Sequence, residues 1–134
     1  MKPPQWTAGL SVGHALLDEH HQTLFHLLGE LDDGIELGRD EDWAQGLKAR
    51  LLDYIGYHFR EEEAALAAVD YPFLQFHRAS HQAISMRMHA LLDGLGRRPL
   101  PQVLGEVRTF LSDWLAHHIE IEDFEYKPYL GAAG

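Results

Sequence analysis

With 134 residues, 46% of them hydrophobic, the chain is long enough for one core and short for two, so a single domain over 1–134 is expected. The absence of cysteine excludes disulfide frameworks, thiolate zinc sites and cysteine-held iron–sulfur clusters, leaving nitrogen and oxygen as donors for any metal. A formal charge of −10, spread along the chain, repels phosphate backbones and anionic membranes, and no stretch approaches the roughly 18 apolar residues of a membrane span. No nucleic acid, no membrane insertion, a cytoplasmic location and a monomeric state are therefore expected.

Residues 1–16, with Pro3, Pro4, Gly9 and Gly13, carry no sustained helical period and read as an irregular N-terminal arm across the molecule, anchored by Trp6. A first helix is expected over about 18–37, from Asp18 as N-cap to Gly38, with the stripe Leu17, His21, Leu24, Leu28, Leu31 and Ile35. A second, over about 41–69 after Asp40, carries Trp43, Leu47, Leu51, Tyr54, His58, Glu62 and Leu66. Pro72 suits a first helical position, so a third is expected over about 72–93 with Phe73, His77, His81, Ile84, Met88 and Leu91. After GLGRRPLP a fourth, over about 101–121, presents Val103, Val107, Phe110, Leu111, Trp114, Leu115 and His118. Short connections join the four, which predicts an all-α, up-down-up-down antiparallel four-helix bundle.

Histidines and a glutamate thus occupy core positions. A polar ring or carboxylate buried without a partner loses several kcal/mol of solvation, and a metal would satisfy such groups together. The pairs His58/Glu62 and His77/His81 are spaced i, i+4, about 40° apart on one helix face. In an antiparallel bundle, the starts of the first and third helices lie level with the ends of the second and fourth, so all these ligands converge at one end. On the fourth helix, the carboxylate is ambiguous. Glu122 at i+4 shares the His118 face, whereas Asp123 lies about 140° away on a regular helix. A π-bulge or loosened turn before Pro128 would bring Asp123 inward instead.

The succession LDEHHQTL, HFREEE, YPFLQFHRASH and WLAHHIEIED resembles the bacterial hemerythrin family across essentially the whole chain. That resemblance implies His21, His58, Glu62, His77, His81, His118 and Asp123 as ligands, so it favours Asp123 over Glu122 as the second bridging carboxylate. It implies two iron ions joined by an oxo or hydroxo group, with His77, His81 and His118 on one and His21 and His58 on the other. Two octahedral metals offer about twelve positions, and this set leaves one open, which suits a small ligand such as dioxygen. The family commonly has glutamine where this chain has His20. That ring lies either at the bundle surface or beside the ligands, where it would move protons.

Leu24, Phe25, Trp114, Leu115 and Ile119 are expected to line the pocket, and Asp18, Glu61, Glu63 and Glu120 are candidate partners for ligand rings. His14, His26, His89 and His117 are assigned surface or capping places. The expected function is reversible dioxygen binding for storage or delivery to an oxygen-consuming enzyme. An oxygen or redox sensor, and a di-iron enzyme with peroxidase, oxidase or nitric oxide scavenging activity, are the alternatives.

Overall fold

Three short connections fold four long helices back on one another. The computed structural model describes residues 5–133, so Pro3 and Pro4 of the expected arm lie outside the described residues. The helices are α1 (Ala15–Glu36), α2 (Glu41–Ala68), α3 (Leu74–Leu92) and α4 (Leu100–His117). A π-helical turn, His118–Asp123, follows α4 and leads into α5 (Phe124–Ala133). Around the ring, α1 packs against α2 and α4, and α3 packs against the same two. Neighbours in sequence are thus neighbours in space and antiparallel, as the loop lengths require. No helix among the described residues is long and apolar enough to cross a membrane.

Local chemistry sets the helix ends. Asp40 caps α2 by accepting from Trp43 N at 3.0 Å. α1 begins before Asp18, with His14 as N-cap accepting from Leu17 N at 3.3 Å. Asp18 has a different role from the cap expected of it: its carboxylate accepts from Val12 N at 2.8 Å and Ser11 Oγ at 2.5 Å, fastening the arm to α1. The arm itself contains one 3-10 turn, Ala8–Leu10, and Trp6 packs on the core as expected.

Two helices end alike. Gly38 at φ 67° and Asp70 at φ 53° both adopt the left-handed conformation. The following N–H groups, of Arg39 and Tyr71, reach back to Gly34 O and Leu66 O at 3.0 Å. This closure satisfies carbonyls that a helix end leaves open. It also delays α3. The chain needs residues 71–73 to turn, so Pro72 precedes the helix and Phe73 is its N-cap, 50% exposed, not on the core stripe.

The core has two parts. A large cluster runs from Leu24 and Phe25 through Leu51, Ile55, Met88 and Leu111 to Leu115 and Ile119. A smaller one, Val12, Leu17, Leu66, Tyr71, Tyr126 and Leu130, closes the end where the arm, α2 and α5 meet. Between them lies the layer of histidines and carboxylates.

At Gly34 the Trp43 ring lies directly against the α1 backbone, so an added Cβ would sit 2.0 Å from it. At Gly29 on the same helix an added Cβ meets nothing within 4 Å. Gly34→Ala should therefore destabilise the fold by about 1–3 kcal/mol through overpacking. Gly29→Ala should stabilise it by roughly 0.5–1 kcal/mol through helix propensity. Urea denaturation of the two variants checks the opposite signs.

Candidate metal centre

Each chemically active side chain reaches the bundle axis by the helical spacing of its own element. His21 follows Leu17 by one turn on α1. His58 and Glu62 are a turn apart on α2, as are His77 and His81 on α3, and His118 opens the π turn that Asp123 closes. All seven are 5% exposed or less, and Glu62 and Asp123 are 0% exposed.

On the fourth helix the π turn decides which of the two acids faces inward. Its hydrogen bonds run from i to i+5, so the fifth residue after His118 returns beneath it. Asp123 consequently faces inward, with Oδ1 3.1 Å from His118 Nε2. Glu122 is displaced outward to the rim. There it accepts from His118 Nδ1 and from Ser80 Oγ, its Oε2 lying 2.9 Å from the hydroxyl. Helical character continues past Pro128, further than the expected helix end at about 121.

All five rings turn Nε2 toward the two carboxylates, and each carboxylate divides its oxygens between two sets of rings. Glu62 Oε1 lies 2.5 Å from His77 Nε2, 2.9 Å from His81 Nε2 and 4.0 Å from His118 Nε2. Its Oε2 lies 3.3 Å from both His21 Nε2 and His58 Nε2. Asp123 repeats the division: Oδ1 faces His77 and His118 at 3.3 and 3.1 Å, and Oδ2 faces His21 at 3.2 Å. Two donor groups result, Glu62 with His77, His81 and His118, and Glu62 with His21 and His58. Within each, one ligand atom per residue lies within 4.8 Å of every other.

The far sides of the rings are also held. His81 Nδ1 is 2.8 Å from Glu63 Oε2, and the Phe59 ring stacks on His81 at 3.8 Å between centroids. His58 Nδ1 is 3.0 Å from Nδ1 of His20, which is buried at 2% exposure and so not the surface residue that one sequence reading allowed. Tyr126 donates its hydroxyl to Glu62 Oε2 at 3.0 Å. Of the four carboxylates expected to hold rings, Glu63 reaches one, Asp18 is engaged by the arm, Glu61 is half-buried and bonds to none of the five rings, and Glu120 is exposed. Glu122, which the sequence offers only as an alternative bridging acid, holds a ring instead, and no sequence signal points to Tyr126. Tyr126 lies beyond the π turn, and its inward position depends on the extra residue there.

This constellation suits bound cations. Nε2 of His58 and His118, Nδ1 of His21 and both Asp123 oxygens are buried without an aligned hydrogen-bond partner. Burial of such groups is sustained by pairing or by a metal. The electrostatics agree. Burial alone would raise the Glu62 carboxyl, yet His58, His118 and His21 hold it well below the usual carboxylate range. Asp123 is likewise depressed, against burial and the Glu62 charge, by His118 and His21. Burial would lower His21 and His77, but the two carboxylates lift both to about 9, and Asp123, Glu122 and Glu62 hold His118 well above its usual value. In the metal-free chain, protons on these rings supply positive charge that a metal would otherwise bring.

That exchange has a pH signature. His21, His77 and His118 bind protons in the folded chain that the unfolded chain releases above about 6.5. Their contribution to stability is complete below about 6.5 and declines as pH rises toward about 9. His20 and His58 are lowered by burial, so their effect falls below that window. Urea midpoints of metal-free protein should fall from pH 6.5 to 9, and metal loading should flatten the decline; a flat metal-free profile would contradict the coupling.

Residues 12–130 match the family model described as the hemerythrin HHE cation binding domain. The bacteriohemerythrin of Methylococcus capsulatus is 32% identical over 130 residues, spanning 95% of this chain and 96% of that protein. Myohemerythrin-1 of Phascolopsis gouldii is 30% identical, spanning 94% and 93%. A crystal structure of wild-type hemerythrin superposes with a TM-score of 0.84 at 26% identity, covering 96% of this chain and 98% of that one. With the fold, the buried histidine–carboxylate layer and the full-length sequence match in agreement, the chain belongs to the hemerythrin family.

Proposed function

We propose that the protein binds dioxygen reversibly at a non-haem di-iron centre, as a store or as a source for an oxygen-consuming enzyme, and not as an enzyme itself. His77, His81 and His118 would hold one iron and His21 and His58 the other, with Glu62, Asp123 and an oxo or hydroxo group shared between the two. The observation that carries this reading is the division of each buried carboxylate between a three-histidine and a two-histidine set. Such a division suits bridging between two cations, and the relatives' hemerythrin names support iron and dioxygen.

When bound, the iron pair supplies the electrons for dioxygen binding and one open coordination position. The chain supplies restraint. Leu24, Phe25, Trp114, Leu115 and Ile119 are all 7% exposed or less, forming apolar walls close to the ligand layer. Dry walls exclude the water that would bring protons to the site and make oxidation irreversible. Glu63 and Glu122 orient His81 and His118, and the Tyr126 hydroxyl steadies Glu62 by donating to Oε2.

Two measurements test the reading. Reduced protein, assayed for iron and exposed to air, should hold two irons per chain and show an optical band that disappears when oxygen is removed. Immediate irreversible oxidation would favour an enzyme or sensor, and absence of iron would overturn the metal assignment. Separately, with iron in excess, Asp123→Ala should fall toward one iron per chain, whereas Glu122→Ala, which removes only the partner of the His118 ring, should still load both, though more weakly at the three-histidine position. The reverse result would mean that Glu122 is the bridge.

A further inference from the structure

His20 has no place in the ligand set, yet it is buried and its Nδ1 faces Nδ1 of His58 at 3.0 Å. Two imidazole nitrogens at that distance share one proton, so one ring donates and the other accepts. His58 presents Nε2 to Glu62 Oε2 at 3.3 Å, on the side where the proposed iron lies. A ligating Nε2 uses its lone pair, so the proton of the His58 ring resides on Nδ1. His58 must then be the donor and His20 the acceptor. The remaining proton of the His20 ring falls on Nε2, an atom buried without a hydrogen-bond partner.

The surroundings hold His20 in that orientation. The Tyr57 ring lies 5.0 Å from it between centroids, and the Tyr54 ring meets it edge-on at 5.9 Å. The His58 ring stands nearly perpendicular to it, at 83°. The other side of the site offers a contrast. His81 and His118 direct Nδ1 at the carboxylates Glu63 and Glu122, whereas the two-histidine side has an imidazole in that place.

We propose that His20 is a positioning residue for the two-histidine iron, accepting the Nδ1–H of His58 so that Nε2 of His58 is presented to the metal. The inference rests on the di-iron reading. It makes His20 selective: the ring acts on one metal position and leaves the three-histidine position untouched. A side chain with an acceptor oxygen, such as glutamine, should replace it, and an apolar side chain of similar reach should not.

The test compares wild-type, His20→Gln and His20→Leu proteins, reconstituted with ferrous iron without oxygen and dialysed against a chelator. Wild type and His20→Gln should keep two irons per chain. His20→Leu should drop toward one, the second iron being held about 10–100-fold more weakly, the usual effect of losing such a partner. Full retention by His20→Leu overturns the inference, as does equal loss by both variants, which would indicate packing alone. Wild-type protein that takes up no iron overturns the di-iron reading itself, and the inference with it. Nitrogen-15 spectra of zinc-loaded wild-type protein give a check without any variant. His58 should be protonated at Nδ1 and His20 at Nε2; the opposite pattern at His20 also overturns the proposal.

Discussion

Everything at the functional end of this bundle answers to two carboxylates withdrawn wholly from water. Removing a carboxylate from solvent costs several kcal/mol even after relaxation, and Glu62 and Asp123 lie within one layer, where their charges also repel. Three of the imidazoles, His21, His77 and His118, supply the compensation by protons in the metal-free chain, and all five present Nε2 where bound cations would take their lone pairs. The same arrangement therefore serves two states. Folding without metal requires the rings to take protons, and metal uptake requires them to be given up, so loading and proton release are linked.

Holding that layer requires apolar material on both sides. The larger cluster below it and the smaller cap of Val12, Leu17, Leu66, Tyr71, Tyr126 and Leu130 exclude water from above and below. The cap depends on the arm, which Asp18 binds through Ser11 and Val12. A residue three positions before the candidate ligand His21 thus closes the site from outside, although its carboxylate touches none of the candidate ligands.

The π turn after α4 is where backbone and chemistry meet. A regular helix would present Glu122 beneath His118. One extra residue in the turn exchanges the two acids, sending Asp123 inward and Glu122 to the rim, where it grips the back of the His118 ring. The altered register also carries Tyr126 to Glu62. One local departure from helical geometry therefore sets a candidate bridge, a ring orientation and a buried hydroxyl together.

The helices, their order and most candidate ligands were legible from spacing, because burial of one face imposes a three-four repeat and histidines on that repeat stand out among leucines. His21, His58, Glu62, His77, His81 and His118 needed no more than this. The choice of Asp123 over Glu122 did not follow from periodicity; the resemblance to hemerythrins implied it, and the π turn accounts for Asp123 facing inward. Helix starts shifted at Ala15 and Leu74 because caps and turns depend on partners, His14 for one and the Asp70–Phe73 turn for the other. His20 remained open in the sequence, since its neighbour on α2 is 38 residues away. Sequence alone determined the buried stripe of each helix, apart from Phe73 at a helix start and His20 beside the stripe, because periodicity is a property of each helix by itself. Tertiary structure decided which atom of each buried group faces which partner, because those contacts exist only once four helices and the arm have come together.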